Sequence, residues 1–521
     1  MTSGSDVQGA TSVYQFSECK LRYLLLLIYM IVVFRLWIMP LGSSLWLDET
    51  LTYWNVMEGV SHVFERSAAC AGQFQLYMFI TALSTKFFGL NEFGLRLPSI
   101  IASIGSSWLI FRIGQRFSDT ETGIFAAILL VCIPQVYLYA SNARPYALVI
   151  LCSLWAFWQL VKLHDTEDWR HVAGYAVAAA AMVYMHYISA IFLIVLVFYS
   201  VLRLKPSVAY KVIWANFALI VLILPLLFII FTTSKDTAII SFVDTPKTSQ
   251  LISAVMSSYV ITTIIICLAC KIFLRNKVES FFPLYNIHIT VFLTLWLILP
   301  IVSCYIVSVV SDYKIFVDRY YIVSYSGLAL LLASALQKIR HTMFRYMALI
   351  SLCVISVFTI GVKEFYPSLH CEDWRGALAT VRTIAEPMQI PVFFNSGLVE
   401  TLQPNWEHQS ADHNLLSPLS AYPVKTRVIP LPPVLNSKSS SYLASKVSHE
   451  ISSQNRFIVV LRRLSNENWV DKWIQEYSIP RGFERRELAD FQGVLVVLYE
   501  RKNLGQGPSV ISVNRISGVH F

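Results

Sequence analysis

The sequence predicts a polytopic α-helical membrane protein that ends in a small extracytoplasmic α/β domain. Three observations predict it. Of 521 residues, 56% are hydrophobic and only 14% charged, and the mean hydropathy is +0.57, which leaves too little polar surface to cover a soluble globule of this size. The apolar residues gather in runs of about 17 to 25, the length that crosses a hydrocarbon core of about 30 Å. After Glu364 the composition turns polar and rich in turn residues, as in "IPLPPVLNSKSSS" from Ile429 to Ser441.

Eleven apolar runs can be placed, at 21–41, 97–117, 121–141, 145–162, 170–185, 188–203, 212–232, 251–273, 286–310, 320–337 and 345–362. The first follows Lys20 and Arg22 and lacks a small-residue cleavage site, so it reads as a retained anchor behind a cytoplasmic N-terminus, residues 1–20. No period of 20 to 50 residues repeats. The segment Gln73 to Phe88 decides the topology, because counting it as a span would invert everything after it. It is short, carries Gln73, Gln75, Ser84 and Lys86, and suits a helix lying in the interface. With that choice and a cytoplasmic N-terminus, fifteen Lys and Arg fall on the inner side against five in the short outer loops after the third span, the asymmetry expected of cytoplasmic loops. The net charge of +9 is thus mostly a topology signal and carries no nucleic-acid inference.

The membrane domain spans 21–362 with a first outer loop at 42–96, the extracytoplasmic domain 363–501 and a tail 502–521. "DWRGALATVRTIAE", Asp373 to Glu386, reads as a helix, with Asp373 capping it, while "VFFNSG", "RFIVVL" and "GVLVVLY" read as short strands. Four polar constellations then share the outer face. Asp48 and Glu49 open the first outer loop in "SLWLDETLTY". "SNARPYAL" (Ser141 to Leu148) joins spans three and four, "YMHY" (Tyr184 to Tyr187) joins five and six, and "SDYKIFVDRYY" (Ser311 to Tyr321) joins nine and ten.

This set fits the transfer of a sugar from a phosphate-linked lipid. One carboxylate must take the acceptor's proton as it attacks the anomeric carbon, whereas the departing phosphate is already a weak base and needs cations and hydrogen-bond donors. Glycoside hydrolysis would instead place two separated carboxyls about the scissile bond. Asp48 is the expected base, and Glu49 orients it or binds a sugar hydroxyl. Arg144 and Arg319 are candidates for the phosphate, to which a guanidinium fork is suited. Tyr146, His186, Tyr187 and Tyr320 complete the candidate pocket, with Arg96 a further candidate for substrate binding.

"LWLDET", "FGLNEFGLRLPSI", "YASNARPYAL", "YMHYISA" and "DRYYIVSYSGLALLLA", in that order, resemble the GT-C glycosyltransferases of the protein mannosyltransferase and aminoarabinose transferase group, and most of all the bacterial family 39, Rgt-like members. The resemblance covers about residues 20–362, and "CEDWRGALATVR" looks like the start of the extracytoplasmic domain many of them carry. It implies a GT-C fold with two juxtamembrane helices in the first outer loop, carried over to about 48–59 and 73–88. It also implies a polyprenyl-phosphate sugar donor, no nucleotide sugar, and an acidic base in that loop, at Asp48. The acceptor is a lipid, glycan or protein, and the setting is the cell membrane, the inner one where the cell has two. This sequence departs from the pattern at Gln73-Phe74-Gln75, where many relatives have a proline pair, at Asn142, where an acidic residue is usual, and after Arg319-Tyr320, where proline is frequent.

Each assignment has a structural rival. Asp48 and Glu49 suit the start of a helix; Arg144 and Arg319 suit interfacial anchors; His186 suits a hydrogen-bonded turn; Arg96 suits a fastening for the first outer loop. Cys132, Cys152, Cys267, Cys270, Cys304 and Cys353 lie in apolar runs and read as packing residues, while Cys70 and Cys371 share the outer face and form a candidate disulfide. No cofactor is expected, since a divalent metal at Asp48 and Glu49 would rest on two carboxylates alone. The alternatives are a transporter or flippase of lipid-linked sugars, which would place ionisable residues near the bilayer midplane, and an inactive binding protein on the same scaffold.

Overall fold

The computed structural model describes residues 23–69, 75–203, 205–233, 244–273, 287–339, 341–359, 372–398, 416–432, 437–463 and 469–502. Its chain divides into two compact units, one of residues 1–43 and 52–369, the other of residues 44–51 and 370–521.

The first unit is helical. It comprises α1 (Tyr23–Gly42), the later turns of α2 (Leu47–Val56), α3 (Val63–Ala69), α4 (Gln75–Phe88), α5 (Glu92–Phe117), α6 (Thr120–Cys132), α7 (Pro134–Ala140), α8 (Tyr146–Thr166), α9 (Trp169–Met185), α10 (Phe192–Leu202), α11 (Pro206–Thr233), α12 (Thr248–Val255), α13 (Ser258–Phe273), α14 (Ile287–Val310), α15 (Ser324–Leu336) and α16 (Thr342–Thr359). Helices occupy each of the eleven apolar runs. Among the described residues, five helices are long and apolar enough to cross a membrane singly, and up to seven spans result if each of two bent pairs counts as one. Outward faces are apolar along whole helices, as with Leu26, Leu27, Met30 and Phe34 on α1 and Ile213, Phe217, Ile220 and Phe228 on α11. Water would penalise such continuous apolar surface; lipid would not. The chain is a multi-pass membrane protein.

The run 121–141 is not straight: it is broken into α6 and α7, which meet at 73°. The cause is Pro134, which drives Ile133 into extended backbone at φ −66°, ψ 124°.

The bundle has two distinguishable ends. At one, Arg116 at the end of α5 holds Asp165 at the end of α8 with two bonds of 2.8 and 3.0 Å, and Arg345 at the start of α16 pairs with Glu121 at the start of α6 at 3.0 Å. At the other, Arg96 in the first turns of α5 donates from Nη1 to the carbonyls of Leu41 and Ser43, each at 2.8 Å. The chain therefore leaves α1 and enters α5 at the same end. The intervening α4, 14 residues long, extends about 21 Å at 1.5 Å per residue.

Gly327 matters to the same end. A Cβ there would lie 2.8 Å from Trp296 Cγ, so glycine lets α15 close on α14. Trp296 Nε1 then donates to the Val323 carbonyl at 2.9 Å, fixing the start of α15 directly after Arg319 and Tyr320.

The second unit is α/β. Its sheet has the order β2-β1-β3-β5-β4, with β1 (Val392–Asn395), β2 (Val428–Pro430), β3 (Arg456–Arg462), β4 (Phe483–Asp490) and β5 (Val494–Arg501). Strand β1 runs parallel to β2 and to β3, pairing Val392 with Val428 and with Ile458, while β5 is antiparallel to β3 and β4. Strands β3 and β5 are buried along five and six consecutive residues, the pattern of central strands covered on both faces. Helix α17 (Trp374–Met388) buries Trp374, Ala377, Leu378, Val381, Ile384 and Ala385, spaced as one apolar stripe. Asp373 caps it, its Oδ1 accepting from Gly376 N at 2.9 Å. Helices α18 (Ser417–Ala421), α19 (Ser437–Tyr442), α20 (Ser448–Ser453) and α21 (Trp469–Ser478) complete this unit.

Cys132, Cys152, Cys304 and Cys353 are buried and reduced. The side chains of Cys267 and Cys270, and the candidate pair Cys70 and Cys371, lie outside the described residues.

Candidate active site

In the first unit, three loops bring candidate residues together. The loop from α7 to α8 carries Ser141, Asn142, Ala143 and Arg144, all at most 5% exposed. It is tied by hydroxyls: Ser99 Oγ on α5 donates to the Asn142 carbonyl at 2.6 Å, and Thr52 Oγ1 on α2 donates to the Ala143 carbonyl at 2.9 Å. Arg144 N closes the turn onto Asn142 O at 2.8 Å. Such satisfied buried carbonyls hold the loop in one conformation, so Arg144 starts from a fixed backbone.

His186 ends α9. Its backbone N donates to Met182 O, and Ser189 Oγ donates to the His186 carbonyl at 2.6 Å. The imidazole lies 5.6 Å from the Tyr146 ring, 5.7 Å from Tyr187 and 5.1 Å from Tyr320. Arg319 sits over the Tyr320 ring at 5.5 Å. Burial drives the His186 proton affinity down, and the positive fields of Arg144 and then Arg319 drive it further, to about 3. The imidazole is therefore neutral at physiological pH. Arg144, Tyr146, His186, Tyr187, Arg319 and Tyr320, drawn from positions up to 176 apart in sequence, form one aromatic and cationic cluster.

Tyr139 joins them, its ring 4.6 Å from Tyr146. Neither it nor Ser99 and Thr52 was expected, although Ser99 lies inside the "FGLRLPSI" motif. A lone hydroxyl gives no periodic signal. Arg96, fully buried, spends Nη1 on the carbonyls that end α1.

Beside Arg319 and Tyr320 in the chain lies a cavity of about 320 Å³, lined among others by Gln135, Ser249, Ser253, Asp318, Tyr321 and Tyr325. Tyr321 donates its hydroxyl to Asp318 Oδ1 at 2.5 Å. Ser257 Oγ, also in the wall, is buried and has no hydrogen-bond partner among the described residues.

The two acidic residues of the first outer loop stand in the second unit and differ from one another. Glu49 is fully buried, and its Oε2 accepts from Trp46 N at 3.3 Å, the N3-to-N-cap half of a capping box. Asp48 is half-buried in the first turn of α2. Among the described residues, no three His, Cys, Asp or Glu side chains converge to hold a metal.

Residues 75–231 match the family model for dolichyl-phosphate-mannose-protein mannosyltransferases. That part of the chain is similar to this family of membrane glycosyltransferases. No curated protein sequence matches the chain. Among solved structures, ArnT from Cupriavidus metallidurans bound to undecaprenyl phosphate is 11% identical, with a TM-score of 0.47 over 91% of this chain and 97% of ArnT. The mycobacterial arabinofuranosyltransferase AftD is 12% identical, with a TM-score of 0.49 over 92% of this chain and 41% of AftD. The archaeal oligosaccharyltransferase AglB from Archaeoglobus fulgidus, in complex with an inhibitory peptide and a dolichol-phosphate, is 10% identical, with a TM-score of 0.45 over 95% of this chain and 75% of AglB.

Proposed function

We propose that this chain is a GT-C glycosyltransferase that moves a sugar from a polyprenyl-phosphate carrier to a lipid, glycan or protein acceptor at the outer face of the cell membrane, inverting the anomeric centre. The observation that carries the reading is the joint action of Arg144 and Arg319 on one buried, neutral His186. Two guanidiniums in a low-dielectric pocket favour a phosphate, and they favour it more as negative charge gathers on the leaving oxygen. A neutral imidazole beside them adds hydrogen-bonding capacity without competing for that role. The ring faces of Tyr146, Tyr187 and Tyr320 complete an apolar wall for the first carrier carbons or a sugar face.

The cavity at Asp318 is assigned to a sugar ring. Hydroxyls, an amide, a carboxylate and aromatic faces are the mixture that a polyol with alternating polar edges and C–H faces requires, and the unpartnered Ser257 hydroxyl supplies a donor for it.

Asp48 is assigned as the base. It accepts the acceptor's proton as the acceptor oxygen bonds to the anomeric carbon and the bond to phosphate oxygen breaks, its electron pair leaving with the phosphate. Glu49 is engaged in holding the helix start, which leaves Asp48 as the more accessible carboxylate of the pair. The C-terminal α/β unit is placed outside the cytoplasm.

The test compares wild type with Asp48→Asn in purified membranes, following release of free undecaprenyl phosphate from a panel of labelled undecaprenyl-phosphate-linked hexoses and pentoses with cell-envelope extract as acceptor. Wild-type turnover with a loss of about 10² to 10⁴-fold in Asp48→Asn is the expected result. Equal turnover would reduce Asp48 to a helix cap; movement of the lipid across the bilayer without turnover in either protein would replace the transferase by a flippase.

A further inference from the structure

The stretch 44–51, which carries Asp48, packs within the second unit, and four hydrogen bonds fasten it there. Leu47 N donates to Glu372 Oε2 at 3.0 Å, and Leu45 N donates to the Tyr422 hydroxyl at 2.9 Å. Arg375 N donates to Ser44 Oγ at 3.1 Å, and the hydroxyls of Thr50 and Ser417 meet at 2.9 Å. Among the residues that do the fastening, Glu372 is itself locked. Its Oε2 also accepts from the indole of the fully buried Trp374 at 3.0 Å. Its Oε1 accepts Nε and Nη2 of Arg462, at the end of β3, at 2.7 and 2.6 Å. The carboxylate is therefore oriented by an indole, a guanidinium and the sheet behind them before it takes the Leu47 N–H.

That N–H is the first of the donors at the start of α2, which the helix itself leaves unmatched, and Asp48 is the next residue. We propose that Glu372 is a positioning residue for catalysis. Through the Leu47 N–H it fixes the first turn of α2 and with it the direction of the Asp48 carboxylate. A charge-assisted bond to a helix N-terminus is among the stronger hydrogen bonds, and a negative group there is further favoured by the helix dipole. Glu372 would thus set the direction of the Asp48 carboxylate while touching no substrate itself. This inference rests on Asp48 being the base.

The experiment uses the full-length purified protein and labelled undecaprenyl-phosphate-linked sugar, with kcat and KM measured separately and the thermal midpoint followed alongside. Glu372→Ala frees the helix start. A misplacement of about 1 Å costs up to about 10²-fold in rate, so kcat is expected to fall by about 10 to 10²-fold with KM for the donor within about twofold of wild type. The paired change Glu372→Gln with Arg462→Gln keeps an amide oxygen for Leu47 and Trp374 while removing the ion pair, and is expected to stay within about threefold of wild-type kcat. Leu47→Pro deletes the donor at a helix position where proline is well accepted, although it also replaces a buried leucine; with the thermal midpoint followed alongside, it is expected to lower kcat as Glu372→Ala does, and it decides the matter if Glu372→Ala fails to fold. The proposal is overturned if Glu372→Ala or Leu47→Pro turns over like wild type while Asp48→Asn is dead, or if the paired glutamine change falls as far as Glu372→Ala. If Asp48→Asn itself keeps full turnover, the assignment of the base has failed, and the role of Glu372 with it.

Discussion

Ser99 Oγ donates to the Asn142 carbonyl at 2.6 Å and also lies 3.3 Å from the Arg144 carbonyl, so a single hydroxyl on α5 holds both carbonyls that flank Ala143. Removing it takes a hydroxyl donor from both carbonyls, although Asn142 O keeps the Arg144 N–H. Ser99→Ala is expected to lower stability by about 1 to 3 kcal/mol and to lower kcat by about tenfold, because Arg144 is no longer held in place before the donor arrives. Thermal unfolding in detergent and turnover of the labelled lipid-linked sugar, measured on the same preparation, check both figures. Full activity in a destabilised protein would show that the loop is fastened for folding only.

Arg144 and Arg319 act on the same buried imidazole, so they are expected to share one anion. Arg144→Lys keeps the charge and loses the planar fork. The expected outcome is a rise of about tenfold in the inhibition constant of free undecaprenyl phosphate, equivalent to about 1.4 kcal/mol, and a larger rise for Arg144→Gln. Arg319→Lys and Arg319→Gln should follow the same order. Inhibition constants unchanged in all four variants would remove the phosphate from this site.

The pH dependence follows from His186. Its folded-state proton affinity is lowered to about 3 from the usual 6.5, so between these values the unfolded chain binds a proton that the folded chain refuses. Stability from this group is therefore level above about pH 6.5 and falls as pH drops from there towards 3. Between pH 6.5 and 5 the loss is on the order of 2 kcal/mol. His186→Gln should lose less stability over that interval than wild type, and Arg144→Gln, which removes one of the two repelling charges, should fall between them. Thermal midpoints at pH 7.5, 6 and 5 read the effect directly. Parallel curves for wild type and His186→Gln would mean that the imidazole takes its proton without penalty.

How much of this could be read from sequence depended on the range of the interaction. Apolar length located the helices, and α4, 14 residues long, lies within the segment Gln73 to Phe88. Arg144, His186 and Arg319 come from three separate motifs, each of unusual chemistry for its surroundings, and the fold brings them into one cluster. Strands β1, β3 and β5 announced themselves as apolar runs. Strand β4, "FERRELAD", did not, since it is paired only with β5 and its charged side chains hide the strand pattern. Strand β2 is three residues ending in Pro430. The bend at Pro134 was hidden by apolar residues on both sides. Least readable of all was the contact of Leu47 with Glu372, 325 positions apart; neither periodicity nor spacing reports a pairing at that distance.

The cavity beside Asp318 gives the last expectation. Ala254, one of its lining residues, stands in the last turns of α12 and is only partly buried, so a large side chain there occupies the space without having to enter a packed core. Ala254→Trp is expected to lower kcat/KM by at least about tenfold while the thermal midpoint stays close to wild type, a surface change of this kind costing about 0.5 kcal/mol or less. Asp318→Asn separates recognition from space. The amide still accepts the Tyr321 hydroxyl, but it can no longer offer a charged acceptor to a sugar hydroxyl, and a charge-assisted bond is roughly twice as strong as a neutral one. Its kcat/KM should fall by about three to tenfold, with the loss differing among hexose and pentose donors or among acceptors according to which hydroxyl faces the carboxylate. A uniform loss across every sugar tried would indicate that Asp318 serves the fold through Tyr321. Unaltered kinetics in both variants would place the sugar elsewhere in the bundle.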